Sequence, residues 1–145
     1  MNTRFFIVLG TVLFLGCKQT GENADAKSEA IVYDMYEPSE MATLMNAMYE
    51  HNQKVKQAIL AGETPSQFPE DFLKIHTAEL SDFKDRDEHF EQFSKQFIQA
   101  QKEVFNPEAD TDVKTRYNQA VNLCIACHQT ACTGPIPRIK KLLIP

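Results

Sequence analysis

Towards the C-terminal end of the chain two thiols and an imidazole stand within five residues, Cys124-Ile125-Ala126-Cys127-His128. Cysteines three positions apart on a helix share one turn, so both sulfurs can reach the two vinyl groups of a single porphyrin and form thioether bonds. The adjacent His128 then presents its imidazole to the iron from the same side. This spacing reads as covalent attachment of one c-type haem through Cys124 and Cys127, with His128 as an axial ligand. Two other chemistries use the same side chains. A redox Cys-x-x-Cys usually opens a helix in an α/β fold, whereas this one sits late in a helix. A zinc site needs four suitably spaced ligands. Here Cys127 and His128 are adjacent, and a second pair is missing even with Cys132 counted.

The elements that must position these groups are helices. The chain has only five Gly and no Trp, with many Glu, Gln, Lys, Ala and Met, a composition that leans towards helix. Apolar spacing predicts four segments and no useful strand. The first covers residues 39–61, announced by Pro38-Ser39-Glu40 and closed by Gly62. Its stripe is Met41, Leu44, Met45, Met48, Val55 and Ile59, with Asn52 interrupting it. The second covers residues 69–80, with Phe72, Ile75 and Leu80 inward, after a turn at Thr64-Pro65-Ser66. The third covers residues 85–105, with a stripe of Phe90, Phe93, Phe97, Ala100 and Val104, and ends at Asn106-Pro107. The fourth begins near Asp110 and carries Val113, Tyr117, Ala120, Val121, Cys124 and His128 at helical spacing until Gly134-Pro135 and Pro137 stop it. Beyond lies a tail that mixes apolar residues with Arg138, Lys140 and Lys141. Helices of this length joined by short connections predict an all-α fold, an antiparallel up-down-up-down four-helix bundle.

Only 17 residues follow His128, and they contain neither Met nor His. A second protein ligand to the iron must therefore come from upstream. In an up-down-up-down bundle the end of the fourth helix lies beside the start of the first, where Met41 occupies the first turn. Met45 lies about 6 Å and Met48 about 10.5 Å further along the axis, and His51 about 15 Å. Met45 and Met48 read as core packing, since Met is a common gap-filler. His76 and His89 also fall at the haem end and offer a bis-His alternative; a sixth position left open or holding water is the third. Cys132 reads either as an exposed thiol open to intermolecular pairing or as a small buried apolar residue.

With these residues in view the chain resembles the class II cytochromes c, the cytochrome c′ group, over residues 33–132. The resemblance rests on four helices, Cys124-x-x-Cys127-His128 in the last one, and a first helix that begins beside the haem. It implies a haem held between helices at one end of the bundle. Low-spin members use a Met in the first turn of the first helix, and Ser39-Glu40-Met41-Ala42-Thr43-Leu44 looks like that segment. Family members usually have a basic or aromatic residue shortly after the motif, where this chain has Gln129-Thr130-Ala131-Cys132. Analogy with these bundles also implies a homodimer through helix faces.

Length and charge bound the rest. The chain has 145 residues and a formal net charge of −5, which argues for one domain and against nucleic acid, whose phosphates need clustered basic residues. Arg4 precedes an apolar run of 11 residues, Phe5 to Leu15. A bilayer of ~30 Å needs about 20, so this run reads as the core of a signal peptide. It ends in Phe14-Leu15-Gly16-Cys17, which resembles the lipobox of bacterial lipoproteins. That resemblance implies cleavage after residue 16 and lipidation of Cys17. Losing residues 1–16 removes Arg4 and takes the net charge from −5 to −6. Residues 17–32 are polar and without periodicity, a flexible tether, and residues 33–145 form the cytochrome domain and its tail. The expected location is outside the cytoplasm, membrane-anchored, on the periplasmic side or the cell surface.

A His/Met pair makes a six-coordinate iron whose ligands stay the same in both oxidation states, which suits electron transfer. The expectation is an electron carrier and not an enzyme, meeting redox partner proteins at the haem edge while its anchor raises local concentration at the membrane. Arg138, Lys140 and Lys141 are placed to cover propionates or meet an acidic partner. With an open sixth position the alternative is a gas-binding module for nitric oxide or carbon monoxide. A peroxide-consuming enzyme would need a polar distal acid/base, and no residue supplies one.

Overall fold

In the computed structural model, residues 37–81 and 85–145 are described. They belong to one unit, Met35–Pro145, and all their regular structure is helical. The expected signal peptide, Cys17 and the tether lie outside the described residues.

Helix α1, Glu40–Leu60, starts at Ser39, whose hydroxyl accepts the Ala42 N–H at 3.2 Å, and has Glu40 in its first turn. It ends in a Schellman motif: Gly62 donates to Ile59 at 3.0 Å and Glu63 to Ala58 at 2.9 Å. Gly62 carries a φ of 83°, a conformation that glycine alone adopts readily. The buried face is Met41, Leu44, Met48, Asn52 and Val55. Asn52 therefore continues the stripe that the sequence suggests it breaks. Its amide donates to the Met48 carbonyl at 2.9 Å and accepts from Gln101 at 3.1 Å, and its own carbonyl accepts from Tyr117 at 2.9 Å.

The second segment differs from expectation. In place of an α-helix over residues 69–80 there is a 3-10 helix, Glu70–His76, followed by irregular chain. Phe72 and Ile75, three residues apart, share one face at the 3-10 period, and both are buried. The Thr77 and Ala78 N–H groups close on the Lys74 carbonyl, and the carbonyls of Ile75 and Ala78 and both backbone groups of Glu79 are then taken by other parts of the chain. Arg86 donates to the carbonyls of Ile75 (2.8 Å) and Ala78. The Glu79 carbonyl accepts the Met41 N–H at 2.9 Å, and the Glu79 N–H goes to the Glu40 carboxylate at 2.9 Å.

Helix α2, Glu88–Val104, is capped by Asp87, which accepts the Phe90 N–H at 2.7 Å. Its buried face is Ser94, Phe97, Ile98, Gln101 and Val104. Phe90, Phe93 and Ala100 of the expected stripe are only half-buried. Helix α3, Val113–Ala131, is capped by Asp112, which accepts the Thr115 N–H at 3.0 Å. Arg116, buried on α3, ties off the end of α2 by donating to the carbonyls of Glu103 and Asn106. α2 and α3 form the most extensive helix pair.

The tail folds into structure. A short helix α4, Ile136–Ile139, and a 3-10 turn, Lys140–Leu142, bring Ile139, Leu142 and Ile144 into a core with Val55, Val104, Tyr117 and Val121. Lys56 on α1 donates to the carbonyls of Lys141 and Leu143 at 2.9 and 2.8 Å. Asn118 on α3 bonds both the N–H and the carbonyl of Ile144, at 2.9 and 2.8 Å. The tail is a strap fastened to α1 and α3. A second core gathers Met41, Leu44, Met48, Phe72, Ile75, Phe97 and Ile98, and Cys124 packs against both.

Candidate functional site

Between these cores lies a cavity of about 700 Å³, within the range of small-molecule and cofactor sites. Met41, Met45 and Met48 line it from α1, and Ile75 and Leu80 from the 3-10 segment and its exit. Phe90, Phe93 and Phe97 line it from α2, Cys124, Cys127 and His128 from α3, and Arg138 and Ile139 from the strap. The four residues expected to hold haem, Met41, Cys124, Cys127 and His128, thus share one largely apolar cavity.

Local structure explains the aim of each. The three α3 residues follow the buried run Tyr117, Ala120 and Val121, which sets the helix face. The Cys124 thiol donates to the Ala120 carbonyl at 3.4 Å. His128 Nδ1 lies 2.8 Å from the Cys124 carbonyl. A carbonyl only accepts, so Nδ1 carries the proton and Nε2 keeps its lone pair for a metal. Burial lowers the His128 pKa, with the Cys124 hydrogen bond acting against it. The neutral imidazole is the form that coordinates iron.

Burial pushes the Cys124 thiol up to about 12, with the neighbouring Cys127 adding to the shift. Cys127 is also raised, first by burial and then by nearby Cys132 and Asp87. Both shifts favour the neutral thiol in the chain as it stands. Among the described residues no group of three or more His, Cys, Asp or Glu gathers in a way that could hold a metal ion by itself. A porphyrin supplies four nitrogens of its own, so its iron needs only axial ligands from the protein.

Met41 is buried, and its N–H, one of the unpaired donors of a helix's first turn, is held by the Glu79 carbonyl. With the Ser39–Ser81 hydroxyl contact at 3.3 Å and the Glu40–Glu79 bond, this fixes the start of α1 against the chain leaving the 3-10 segment. The histidines separate. His89 is exposed at the cavity's lining, beside Asp85 and Asp87. His76 is not on the lining, and its Nδ1 lies 3.3 Å from the Ser94 hydroxyl. His51 faces a shallower groove of about 620 Å³ with Pro65, Phe68 and Phe105, and packs edge-on against Phe72 at 5.3 Å.

Cys132 caps the end of α3 and is exposed on the cavity lining, so its reading as a small buried apolar residue does not hold. Cys124, Cys127 and Cys132 are all free thiols. Sequence reasoning did not place Phe90 and Phe93 on the cavity wall, nor separate Arg138 from Lys140 and Lys141. Of those three cations only Arg138 lines the cavity. No signal in the local pattern marks it, because its position depends on where the strap docks. Among the described residues no helix is long and apolar enough to cross a membrane. Comparison with protein-family models, with curated proteins and with solved structures gives no match.

Proposed function

We propose that the chain is a monohaem c-type cytochrome acting as an electron carrier. Cys124 and Cys127 hold the haem as thioethers, and His128 and Met41 are its axial ligands. The observation that carries this reading is the convergence of Met41 on α1 with Cys124-x-x-Cys127-His128 on α3 at one apolar cavity. Haem bound there supplies a one-electron couple at iron whose potential a His/Met pair raises. This chain's own residues do the rest. His128 offers Nε2 while Nδ1 is held by the Cys124 carbonyl. The Glu79 carbonyl fixes the first turn of α1 and with it the level of the Met41 sulfur. Phe90, Phe93 and Phe97 give the cavity an apolar wall, which would limit solvent reorganisation. The assignment to the class II cytochromes c belongs to this proposal, with the 3-10 segment and its exit taking the place of the second helix of an antiparallel four-helix bundle. So do lipidation at Cys17, anchoring outside the cytoplasm, redox partner proteins at the haem edge and pairing into a homodimer.

The test is the optical spectrum of the haem-loaded protein, oxidised and dithionite-reduced, with and without carbon monoxide. A low-spin spectrum indifferent to the gas is the expected result. A high-spin spectrum that shifts on adding carbon monoxide would favour the second reading, a gas-binding module. That reading draws on the same Phe90–Phe93–Phe97 wall, which would admit small neutral diatomics and exclude anions.

A further inference from the structure

Among the described residues Arg138 is the one Lys or Arg on the cavity lining. It comes from the strap, not from the helices that carry the motif. Its guanidinium lies over the Tyr49 ring, 3.9 Å from the centroid, and donates to Asn46 Oδ1 at 2.7 Å. Stacking and hydrogen bonding hold an otherwise mobile side chain in one place. The group has more to give than these contacts use. Arginine has five N–H donors, and one bond is recorded for it.

Its two neighbours are also left with donors. Asn46 turns its carbonyl oxygen to Arg138, which leaves its amide N–H free. The Tyr49 hydroxyl accepts from Gln53 Nε2 at 3.2 Å, which leaves its own O–H to donate. Both residues line the cavity. A planar guanidinium flanked by an amide N–H and a phenolic O–H is a donor set matched to a carboxylate. Elsewhere on the lining Asp85 and Asp87 would repel one.

We infer that Arg138, Asn46 and Tyr49 form a carboxylate site at the mouth of the cavity, and that it holds a propionate of the haem. The inference rests on the haem reading above and adds to it the direction in which the porphyrin is inserted. Its propionate edge meets the α1–strap side of the mouth, and the acidic start of α2 faces away from the propionates. Arg138 is then a positioning residue that also favours the reduced iron over the oxidised: a fixed cation beside the porphyrin raises the midpoint potential.

The experiment compares Arg138→Gln, Arg138→Lys and Lys56→Met in the full chain. Covalent haem is first confirmed by mass in each, so that failure of the haem reading is seen separately. The midpoint potential and the propionate bending band in resonance Raman are then measured on isolated protein without a partner. Arg138→Gln is expected to shift the one-electron equilibrium towards the oxidised form by about threefold, the size of an exposed ion-pair effect, and to move the propionate band. Arg138→Lys restores most of the potential. Lys56→Met loosens the strap, since Lys56 holds the Lys141 and Leu143 carbonyls, but does not touch the cavity lining, and leaves the propionate band in place. An unmoved band and potential in Arg138→Gln would overturn the inference. So would an equal change in Lys56→Met, which would make it a matter of strap closure.

Discussion

His128 Nδ1 and the carbonyl oxygen of Cys124 lie 2.8 Å apart, one turn from each other on α3. The bond is made to a carbonyl inside the helix, which has a lone pair to spare beyond the helical bond, and it selects the tautomer whose Nε2 can bind iron. Cys124, Cys127 and His128 are thus one rigid unit of a single helix. Replacing His128 by Ala is expected to leave haem covalently attached, as read by mass, while abolishing the low-spin spectrum. Replacing both Cys124 and Cys127 by Ala is expected to abolish covalent attachment, read as loss of haem from the denatured chain.

Met41 has two roles that different substitutions separate. Met41→Leu keeps the volume and is expected to cost less than about 1.5 kcal/mol in the stability of the haem-free chain. On the proposed ligation it removes the sulfur ligand, so the weak far-red charge-transfer band of Met-ligated ferric haem is expected to disappear and carbon monoxide to bind. Met41→Ala adds a cavity and is expected to cost about 2–5 kcal/mol. Chemical denaturation and the spectrum check the two effects independently.

Asn52, Gln101 and Tyr117 tie the three long helices together beneath the cavity. Gln101 and Tyr117 are fully buried, so neither can exchange its bond for one to bulk water. Gln101→Leu leaves Asn52 Oδ1 without its donor and is expected to destabilise the protein by about 1–3 kcal/mol. The double variant Asn52→Leu/Gln101→Leu removes both partners and is expected to be less destabilised than the single one. A denaturant-unfolding cycle over the four proteins measures this coupling.

His51 sets a pH dependence of stability. Burial lowers its pKa below 6.5, with the nearby Lys54 acting in the same direction, and its buried Nε2 has no hydrogen-bond partner. The folded protein therefore binds this proton less readily than the unfolded chain. Stability contributed by neutral His51 is fully present above pH 6.5 and is lost as the pH falls through 6.5 towards the lowered value. In the haem-loaded protein, where His128 is committed to iron, His51→Phe is expected to flatten the midpoint of unfolding between pH 5 and 7. An equally steep profile in that variant would assign the dependence to another group.

The strap contributes through the apolar core against which Cys124 also packs. Leu142 is buried among residues of α1, α2 and α3. Leu142→Ala is expected to cost about 2–5 kcal/mol with the covalent haem retained. Thermal unfolding of the haem-loaded variant checks this.

By itself the sequence determined the placement of Cys124, Cys127 and His128 on one helix and the existence of three long helices. These depend on neighbours within a turn: the i, i+3 and i, i+4 spacing of apolar residues, Ser39 at a helix start and Gly62 at a helix end. The tertiary structure decided the rest. After Thr77 and Ala78 close on the Lys74 carbonyl, the helix does not continue: the Ala78 carbonyl and both backbone groups of Glu79 pair with Arg86, Met41 and Glu40, which lie outside the segment. Asn52 reads as an interruption until Gln101 and Tyr117 arrive from other helices to satisfy it. His76 and His89 look alike in sequence, yet Ser94 holds one while the other lines the cavity. Arg138 is one basic tail residue among three until Lys56 and Asn118 dock the strap and set it over Tyr49. Periodicity encodes what a residue does to its own helix, whereas the pairing of polar groups across elements is a long-range property that appears only once the chain has closed.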